Sequence, residues 1–448
     1  MIKFPADFVW GAASAAYQIE GYDLEDGGGA SIWRTFSHTP GKVAWGDNGD
    51  IACDSYHRLE EDLDLLAQAG AKAYRFSTSW SRVDPKADGN WNAAGIAYYD
   101  RLVNGCLERG ITPYMTLYHW ELPQAAEDRG GWQVRETAEA FGRFAGMMAQ
   151  HFRGRVKNYF TLNEPQCTVS LGYQQGIHAP GKTLPREAVF GCWVNQLLAH
   201  GYSFRAIKAA DPDAVVGIAS TGNLCYPARE TPENIEAARQ ATFATNEDFW
   251  VFTHHWLLDP ICFGKFPECP GSWLEPLAAA VSAEDLEIIH AVPDMLGYNI
   301  YNGHEICLTE TGWDFAPKYR GYPRTALKWP VTEGVLNWGV RFVQERYGLP
   351  GYITENGLSC NDKIYLDGQV HDPDRIDFLT RYLRCLGKAV ESGCGLKGYF
   401  HWSLTDNFEW HSGYCDRFGI IYMDYENLKR IPKDSYYWYS QVMKTGEV

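Results

Sequence analysis

The length, composition and charge of the chain exclude several classes of protein. It has 448 residues, of which 45% are hydrophobic and 21% charged, so it falls in the globular range and can bury a large core. The formal charge is −16, from 40 basic and 56 acidic residues, so a nucleic-acid backbone would be repelled. No apolar run reaches membrane-spanning length. We therefore expect neither a nucleic acid nor a membrane as a partner.

The start of the chain and its cysteines indicate a reducing compartment. The segment MIKFPADFVWG lacks the basic, apolar and small-residue series of a signal peptide. The 12 cysteines are scattered without CxxC pairs, which is typical of reduced thiols. A disulfide between Cys262 and Cys269 is the less favoured alternative. The sequence predicts a cytoplasmic protein.

Taken in chain order, the predicted elements alternate between strands and helices. Helical periodicity appears between the strands, as in Tyr56 to Ala69 and Ile376 to Ala389. Eight strand-like apolar runs recur: Phe8 to Ala13, Ala71 to Phe76, Thr112 to Tyr118, Val156 to Leu162, Val215 to Ala219, Met295 to Tyr301, Tyr352 to Thr354 and Leu396 to Trp402. Eight such units predict an α/β fold, a closed (β/α)₈ barrel. A doubly wound open sheet is the alternative, but no glycine-rich phosphate turn follows the first strand.

No linker or low-complexity tract interrupts the pattern, so residues 1–448 are predicted to form one domain. Three long stretches follow predicted strands: Gly21 to Asp54, Gln166 to Leu184 and Gly303 to Thr332. In a barrel of this kind such stretches are loops at the carboxyl ends of the strands, where active sites are built. We expect the functional site there.

Two glutamates stand at predicted strand ends. Glu164 lies in TLNEP and Glu355 in ITENG, each directly after an apolar run. Two carboxyl groups facing each other suit glycoside hydrolysis, in which one protonates the leaving oxygen and the other attacks the anomeric carbon or activates water. At a separation of ~5 Å and an effective dielectric near 20, an ionised Glu355 would oppose ionisation of Glu164 by roughly 3 kcal/mol, about two pKa units. Such a shift would keep an acid protonated near neutral pH.

Four neighbours fit the chemistry of this pair. Asn163 precedes Glu164 and could reach a sugar 2-hydroxyl. Arg75, at the end of the second strand, is predicted to hold Glu355 ionised and oriented. Asn299 and Tyr301, at the end of the sixth strand, are candidates for hydrogen bonds to the same carboxylate.

The chain closely resembles glycoside hydrolase family 1, the β-glucosidase and β-galactosidase group, over nearly its whole length. The matching strings are FVWGAASAAYQIEG, GDIACDSYHRLEEDLDLL, YRFSTSWSRVDP, TLYHWELP, GGWQVRET, TLNEP, GIHAPG, TENG and HWSLTDNFEWHSGYCDRFGIIYMDY. The resemblance implies a (β/α)₈ barrel that retains anomeric configuration through a glycosyl-enzyme intermediate. It also implies Glu164 as the acid/base and Glu355 as the nucleophile.

The resemblance further implies a pocket for one terminal sugar, β-glucose or else β-galactose or β-fucose, and no cofactor or metal. The implied sugar-binding residues are Gln18, His119, Asn163, Glu355, Trp402, Glu409 and Trp410. A carboxylate at Glu409 would repel the phosphate of a 6-phospho-sugar, so free sugars are favoured. Non-catalytic sugar binding and transglycosylation on the same barrel remain the alternatives.

Several positions depart from the commonest pattern of the family: Glu121, Gln166, Ile300 and His401. The residues expected on the aglycone side of the pocket are Gln166, Cys167, His178 and Trp329. The natural aglycone and the oligomeric state are not predicted.

Two further motifs are set aside. The segment Gly176 to Thr183 satisfies the spelling GxxxxGK[ST], but it follows a poor strand and Pro180 stiffens it, so nucleotide binding is not expected. His254 and His255 lack a second pair of ligands, which favours a structural role over a metal site.

Overall fold

A computed structural model describes residues 2–448, which are organised around a closed barrel of eight parallel strands. In chain order the strands are β1 Val9–Ala13, β2 Ala73–Ser77, β3 Thr112–Tyr118, β4 Asn158–Asn163, β5 Val215–Thr221, β6 Met295–Asn299, β7 Gly351–Asn356 and β8 Leu396–Trp402. Each strand pairs with its neighbours in sequence, and β1 pairs with both β2 and β8, which closes the sheet. The predicted barrel and its eight strands are confirmed.

Every connection between barrel strands contains at least one helix. The long helices are Leu59–Ala69, Ala93–Glu108, Arg135–Phe152, Arg186–Ala210, Pro232–Thr242, His254–Phe263, Trp338–Tyr347, Pro373–Glu391 and Asp434–Thr445. Shorter helices are Ala16–Ile19, Ile32–Ser37, Trp80–Val83, Gln124–Glu127, Pro165–Cys167, Leu274–Ala279 and Ala283–Ile289. The two helices predicted from periodicity are present. One of them begins at Pro373, earlier than the apolar pattern, because proline suits the first turn of a helix.

Large side chains fill the inside of the barrel. Tyr114, Phe160, Met295 and Phe400 form one buried cluster there. Gly297 in β6 leaves room for it, since a Cβ at that position would lie 3.0 Å from the Phe160 ring. The packed interior leaves the carboxyl ends of the strands as the place for a pocket.

One predicted loop contains regular structure that the sequence analysis missed. Within Gly303 to Thr332, the strands His304–Thr309 and Gly312–Phe315 form an antiparallel hairpin, and the first of them also pairs with Cys225–Pro227. The pairing satisfies backbone groups that a long loop would otherwise leave to water. A separate hairpin joins Ile421–Asp424 to Lys429–Pro432.

A buried network of charges lies behind the end of β8. Asp406 is fully buried and accepts hydrogen bonds from Lys433 Nζ at 2.7 Å and from Arg417 Nη1 at 2.7 Å. Lys433 is equally buried and also contacts Asp362 at 2.5 Å. These contacts join the segment after β8 to the start of the last helix.

We expect Asp406→Ala to destabilise the protein by about 3 kcal/mol or more, because it leaves part of the charge of Lys433 uncompensated in the interior. Urea denaturation would measure the loss. The matched control is Asp377→Ala, which breaks an exposed ion pair with Arg381 and should cost less than about 1 kcal/mol. Equal stability of the two variants would contradict this account of the network.

Candidate active site

A cavity of about 510 Å³ opens at the carboxyl ends of the barrel strands. Glu164 directly follows β4, and Glu355 lies near the end of β7. Both carboxyl groups line the cavity, and their residues are 6% and 4% exposed. The barrel therefore brings the two predicted glutamates into one buried pocket of the size usual for small ligands, about 300–1,000 Å³.

The backbone is irregular where it presents both glutamates. The pairing of β4 with β5 shifts register between Phe160 and Asn163, and the pairing of β7 with β6 shifts between Ile353 and Glu355. Glu164 itself adopts the left-handed region at φ 46°, which is uncommon for a residue with a side chain. Irregularities of this kind redirect side chains, and they cluster at functional sites.

Glu355 is held by two donors, one on each carboxylate oxygen. Arg75 Nη1, from the end of β2, donates to Oε1 at 2.7 Å, and the Tyr301 hydroxyl donates to Oε2 at 2.7 Å. Arg75 is only 1% exposed, so water screens this ion pair little. The expected contacts of Arg75 and Tyr301 with Glu355 are present.

A chain of amides connects Arg75 to Glu164. Arg75 Nη2 donates to Asn163 Oδ1 at 2.5 Å, and Asn299 Nδ2 donates to the same oxygen at 2.9 Å. Asn299 Nδ2 also donates to Glu164 Oε1 at 2.7 Å. The contact with Glu164 was not expected, and Asn299 also lowers the pKa of Glu355 as a hydrogen-bond donor, as expected. The end of β6 faces β4 here, and the amide hydrogens of Asn299 point to Asn163 and Glu164 because its oxygen accepts from the Thr354 hydroxyl at 2.6 Å.

The surroundings of the two carboxyl groups give them different affinities for a proton. Burial raises the pKa of Glu164 to about 7, and the charge of Glu355 adds to the rise. Burial also raises the pKa of Glu355, but the Arg75 guanidinium opposes that rise directly. Of the two carboxyl groups, only that of Glu355 forms an ion pair. The first proton that the two groups bind is therefore on Glu164.

His119 is oriented by the same chain of amides. Since Asn163 Oδ1 accepts from Arg75, its amide nitrogen faces His119 Nε2 at 3.1 Å. Burial lowers the pKa of His119 well below its ordinary value, so the ring is neutral and Nε2 accepts this hydrogen bond. The remaining proton of the ring is then on Nδ1. His119 also stacks on Trp402 with ring centroids 5.8 Å apart.

One end of the pocket holds acceptors that lack donors. Gln18 Nε2 donates to Asn407 Oδ1 and to the Phe408 carbonyl, but its Oε1 has no partner among residues 2–448. Glu409 Oε2 is likewise buried without a partner in the described chain. Glu409, Trp402 and Trp410 line the pocket, whereas Gln18, Asn163 and Arg75 lie just behind the lining. Burial raises the pKa of Glu409 well above its ordinary value.

Three of the four residues expected on the aglycone side line the pocket. These are Cys167, His178 and Trp329, and His178 Nε2 lies 3.0 Å from His411 Nδ1. Gln166 does not line it, which corrects the prediction. The side chain of Gln166 is fully buried and donates to Ser220 Oγ at 3.0 Å, because it points from the short helix toward β5.

Sequence reasoning missed several lining residues. They are Trp120, Leu171, Thr221, Gly222, Asn223, Phe252, Asn302, Leu327, His411, Ser412 and Phe418. Trp120, Asn302 and His411 adjoin residues that were identified, so a search of sequence neighbours could have found them. Nothing in the sequence pattern marks Phe252.

The segment Gly176 to Thr183 and the pair His254 and His255, from which no ligand site was expected, make contacts within the protein. Lys182 pairs with Glu127 and donates to Gln133 Oε1 at 3.1 Å. His254 and His255 begin a helix, and they contact Ser220 Oγ at 2.9 Å and Thr245 Oγ1 at 3.1 Å respectively.

We expect Glu355→Gln to lower the pKa of Glu164 from about 7, because it removes the like charge that helps to raise it. The pKa should stay above the ordinary value of 4.5, since burial remains the larger cause. Carbon-13 NMR titration of labelled glutamate would measure it, with the Glu164 signal assigned from Glu164→Gln. Glu20→Gln, which changes a buried carboxyl paired with Arg82 outside the pocket lining, is the control. An unchanged pKa in Glu355→Gln would show that the two carboxyl groups do not interact.

Comparison with known proteins identifies the family of the chain. The family model described as Glycosyl hydrolase family 1 matches residues 1–448. Beta-glucosidase A of Thermotoga maritima is 42% identical over 99% of this chain and 98% of its own length. Aryl-phospho-beta-D-glucosidase BglC of Bacillus subtilis is 37% identical over 99% and 98%. The solved structure of the Thermotoga maritima beta-glucosidase in complex with glucoimidazole matches at a TM-score of 0.90 and 41% identity, covering 100% of both chains. The resemblance predicted from the sequence is confirmed, and the chain belongs to glycosyl hydrolase family 1.

Proposed function

We propose that Glu355 is the nucleophile and Glu164 the acid/base of this retaining β-glucosidase-type glycoside hydrolase. In the first step a Glu355 oxygen bonds to the anomeric carbon while the glycosidic C–O bond breaks, and Glu164 delivers its proton to the departing oxygen. In the second step Glu164 takes a proton from water, the water oxygen bonds to the anomeric carbon, and the bond to Glu355 breaks. Configuration is retained because the carbon is inverted twice.

The unequal environment of the two carboxyl groups is the observation that carries this assignment. A nucleophile must be ionised, and Glu355 accepts from Arg75 and Tyr301. A general acid must be protonated near the working pH, and burial beside a like charge raises the pKa of Glu164 to about 7. Exchanging the two roles would place the acidic proton on the carboxyl group that forms the ion pair with Arg75.

The substrate we propose is a terminal, uncharged β-D-glucosyl unit, with galactosyl or fucosyl units as close alternatives. The partnerless oxygen of Glu409, which lines the pocket, needs a donor, and a sugar hydroxyl supplies one. Trp402 and Trp410 offer apolar faces for the C–H surface of the ring. His119 contributes a donor through Nδ1.

Two other activities on the same barrel remain distinguishable. A non-catalytic sugar-binding protein needs no acid with a raised pKa, so Glu164 speaks against it. Transglycosylation would use the same intermediate and differ only in whether water or an alcohol attacks it. Product analysis with and without an added alcohol acceptor separates hydrolysis from transfer.

We further propose that residues 1–448 act as one catalytic domain in the cytoplasm. The largest hydrophobic cluster draws on helices and strands from Phe4 to Met443, and all twelve cysteines are free thiols. Across residues 2–448, no helix combines the length and apolar character that a bilayer crossing requires.

Replacing the proposed nucleophile should abolish hydrolysis. We expect Glu355→Ala to lower aryl β-glucoside turnover at least about a thousandfold, because no covalent intermediate can form. Added azide should restore turnover and give an α-glycosyl azide, which NMR of the product identifies. The control Glu345→Ala changes an exposed glutamate on the helix Trp338–Tyr347 and should keep full activity. Normal turnover by Glu355→Ala, or a β-configured azide product, would overturn the assignment.

The pocket should also reject a 6-phosphorylated sugar, although one relative is named an aryl-phospho-glucosidase. Three carboxyl groups line it, those of Glu164, Glu355 and Glu409, and no lysine or arginine of the described chain does. We expect kcat/KM for an aryl β-glucoside to exceed that for its 6-phosphate by about a hundredfold or more, since an unpaired buried charge costs at least about 3 kcal/mol. Parallel assays of the two substrates test this. Preference for the phosphate would contradict the role given to Glu409.

A further inference from the structure

Glu164 has a second side-chain partner that the proposed mechanism leaves unexplained. Cys167 Sγ lies 3.0 Å from Glu164 Oε2, and the thiol lines the pocket while its residue is 8% exposed. The short helix Pro165–Cys167 brings it there, because the Cys167 amide donates to the Glu164 carbonyl at 3.0 Å and folds the chain back on itself. The proposed acid is thus held between an amide and a thiol.

The amide determines which oxygen of Glu164 carries the acidic proton. Asn299 Nδ2 donates to Oε1, and this nitrogen cannot turn around because it also donates to Asn163 Oδ1, which already accepts from Arg75. An amide N–H is a donor only, so a proton on Oε1 would face another hydrogen. The neutral acid must therefore carry its proton on Oε2, the oxygen beside the thiol.

A thiol suits this place because it is a weak donor and a weak acceptor. When Glu164 is ionised, the S–H bond can point at Oε2 and stabilise the negative charge. When Glu164 is protonated, the S–H bond can turn away, so the O–H is left free for the leaving oxygen. Burial raises the pKa of the Cys167 thiol well above its ordinary value, and the charge of Glu164 adds to this, so sulfur keeps its proton in both states.

We propose that Cys167 is a positioning residue for proton transfer: its thiol orients Oε2 of Glu164, the oxygen that Asn299 leaves free to donate to the leaving group and to accept from water. This inference rests on the proposed role of Glu164. It assigns no contact between Cys167 and the reacting atoms. A residue with this role affects protonation of the leaving group more than binding of the sugar.

The first readout is the pH profile of kcat/KM. A donor to the ionised form lowers the pKa of a carboxyl, so removing it raises that pKa. We expect the alkaline limb to move up by about half a pH unit in Cys167→Ala, while in Cys167→Ser, whose hydroxyl is the stronger donor, it stays at or below the original position. Cys106→Ala, which removes a buried thiol from the helix Ala93–Glu108 away from the pocket lining, should leave the limb in place.

The second readout compares two substrates with small leaving groups, so that lost aglycone contacts do not interfere. Methyl β-glucoside needs protonation of its leaving oxygen, whereas β-glucosyl fluoride needs far less. We expect Cys167→Ala to lower kcat/KM about tenfold on the methyl glucoside and less than about twofold on the fluoride, with Cys167→Ser restoring the former. Circular dichroism and Tm would confirm that the variants are folded.

The outcomes separate this inference from the proposed function. If Glu164→Gln hydrolyses methyl β-glucoside normally, Glu164 is not the acid and the proposed function fails. If Glu164→Gln is inactive while Cys167→Ala keeps the original alkaline limb and the original ratio of the two substrates, only the role of Cys167 is overturned. An equal loss on both substrates would also overturn it, since that pattern indicates a structural defect.

Discussion

The guanidinium of Arg75 fixes the orientation of most polar groups in the pocket. It is a donor only and cannot lose its charge, so every atom that contacts it must be an acceptor. Nη1 binds Glu355 and Nη2 binds Asn163. The amide of Asn163 then has one orientation, and through it the tautomer of His119 is determined. The position of one buried cation therefore determines the orientation of the hydrogen-bonding groups on both sides of the pocket.

The same cation explains why two equally buried carboxyl groups behave differently. Glu355 is compensated by Arg75 and accepts a phenol hydrogen from Tyr301. Glu164 has an amide and a thiol, neither of which carries charge. Both groups lose hydration on burial, but only one recovers a full opposite charge. The two glutamates are chemically identical. Which of them holds the proton is therefore determined by the position of β2, which carries Arg75, relative to β7, which carries Glu355.

The strands and the two glutamates could be predicted from the sequence, whereas the directions of several side chains could not, and both outcomes have physical reasons. Buried parallel strands read as continuous apolar runs, so all eight were visible, and the ends of β4 and β7 gave the glutamates. Directions of side chains could not be read in the same way. The chain is irregular before Asn163 and Glu355. Asn299 donates to Glu164, which the sequence did not indicate, and Gln166 points to Ser220 rather than into the pocket. The hairpin from His304 was missed because its outer face is exposed and its apolar pattern is weak.

The two ends of the pocket differ in how sharply they can discriminate. At the sugar end, the partnerless oxygen of Glu409 penalises any ligand that lacks a hydroxyl in the right place, since this oxygen would stay buried and unpaired. Elsewhere the lining includes large apolar side chains: Leu171, Phe252, Leu327, Trp329 and Phe418. Apolar walls distinguish ligands only by size, typically by about 1–3 kcal/mol for a methylene group. None of the four departures from the family pattern lines the pocket. Unpaired buried acceptors favour strict recognition of the sugar, and apolar walls favour tolerance of the group that leaves.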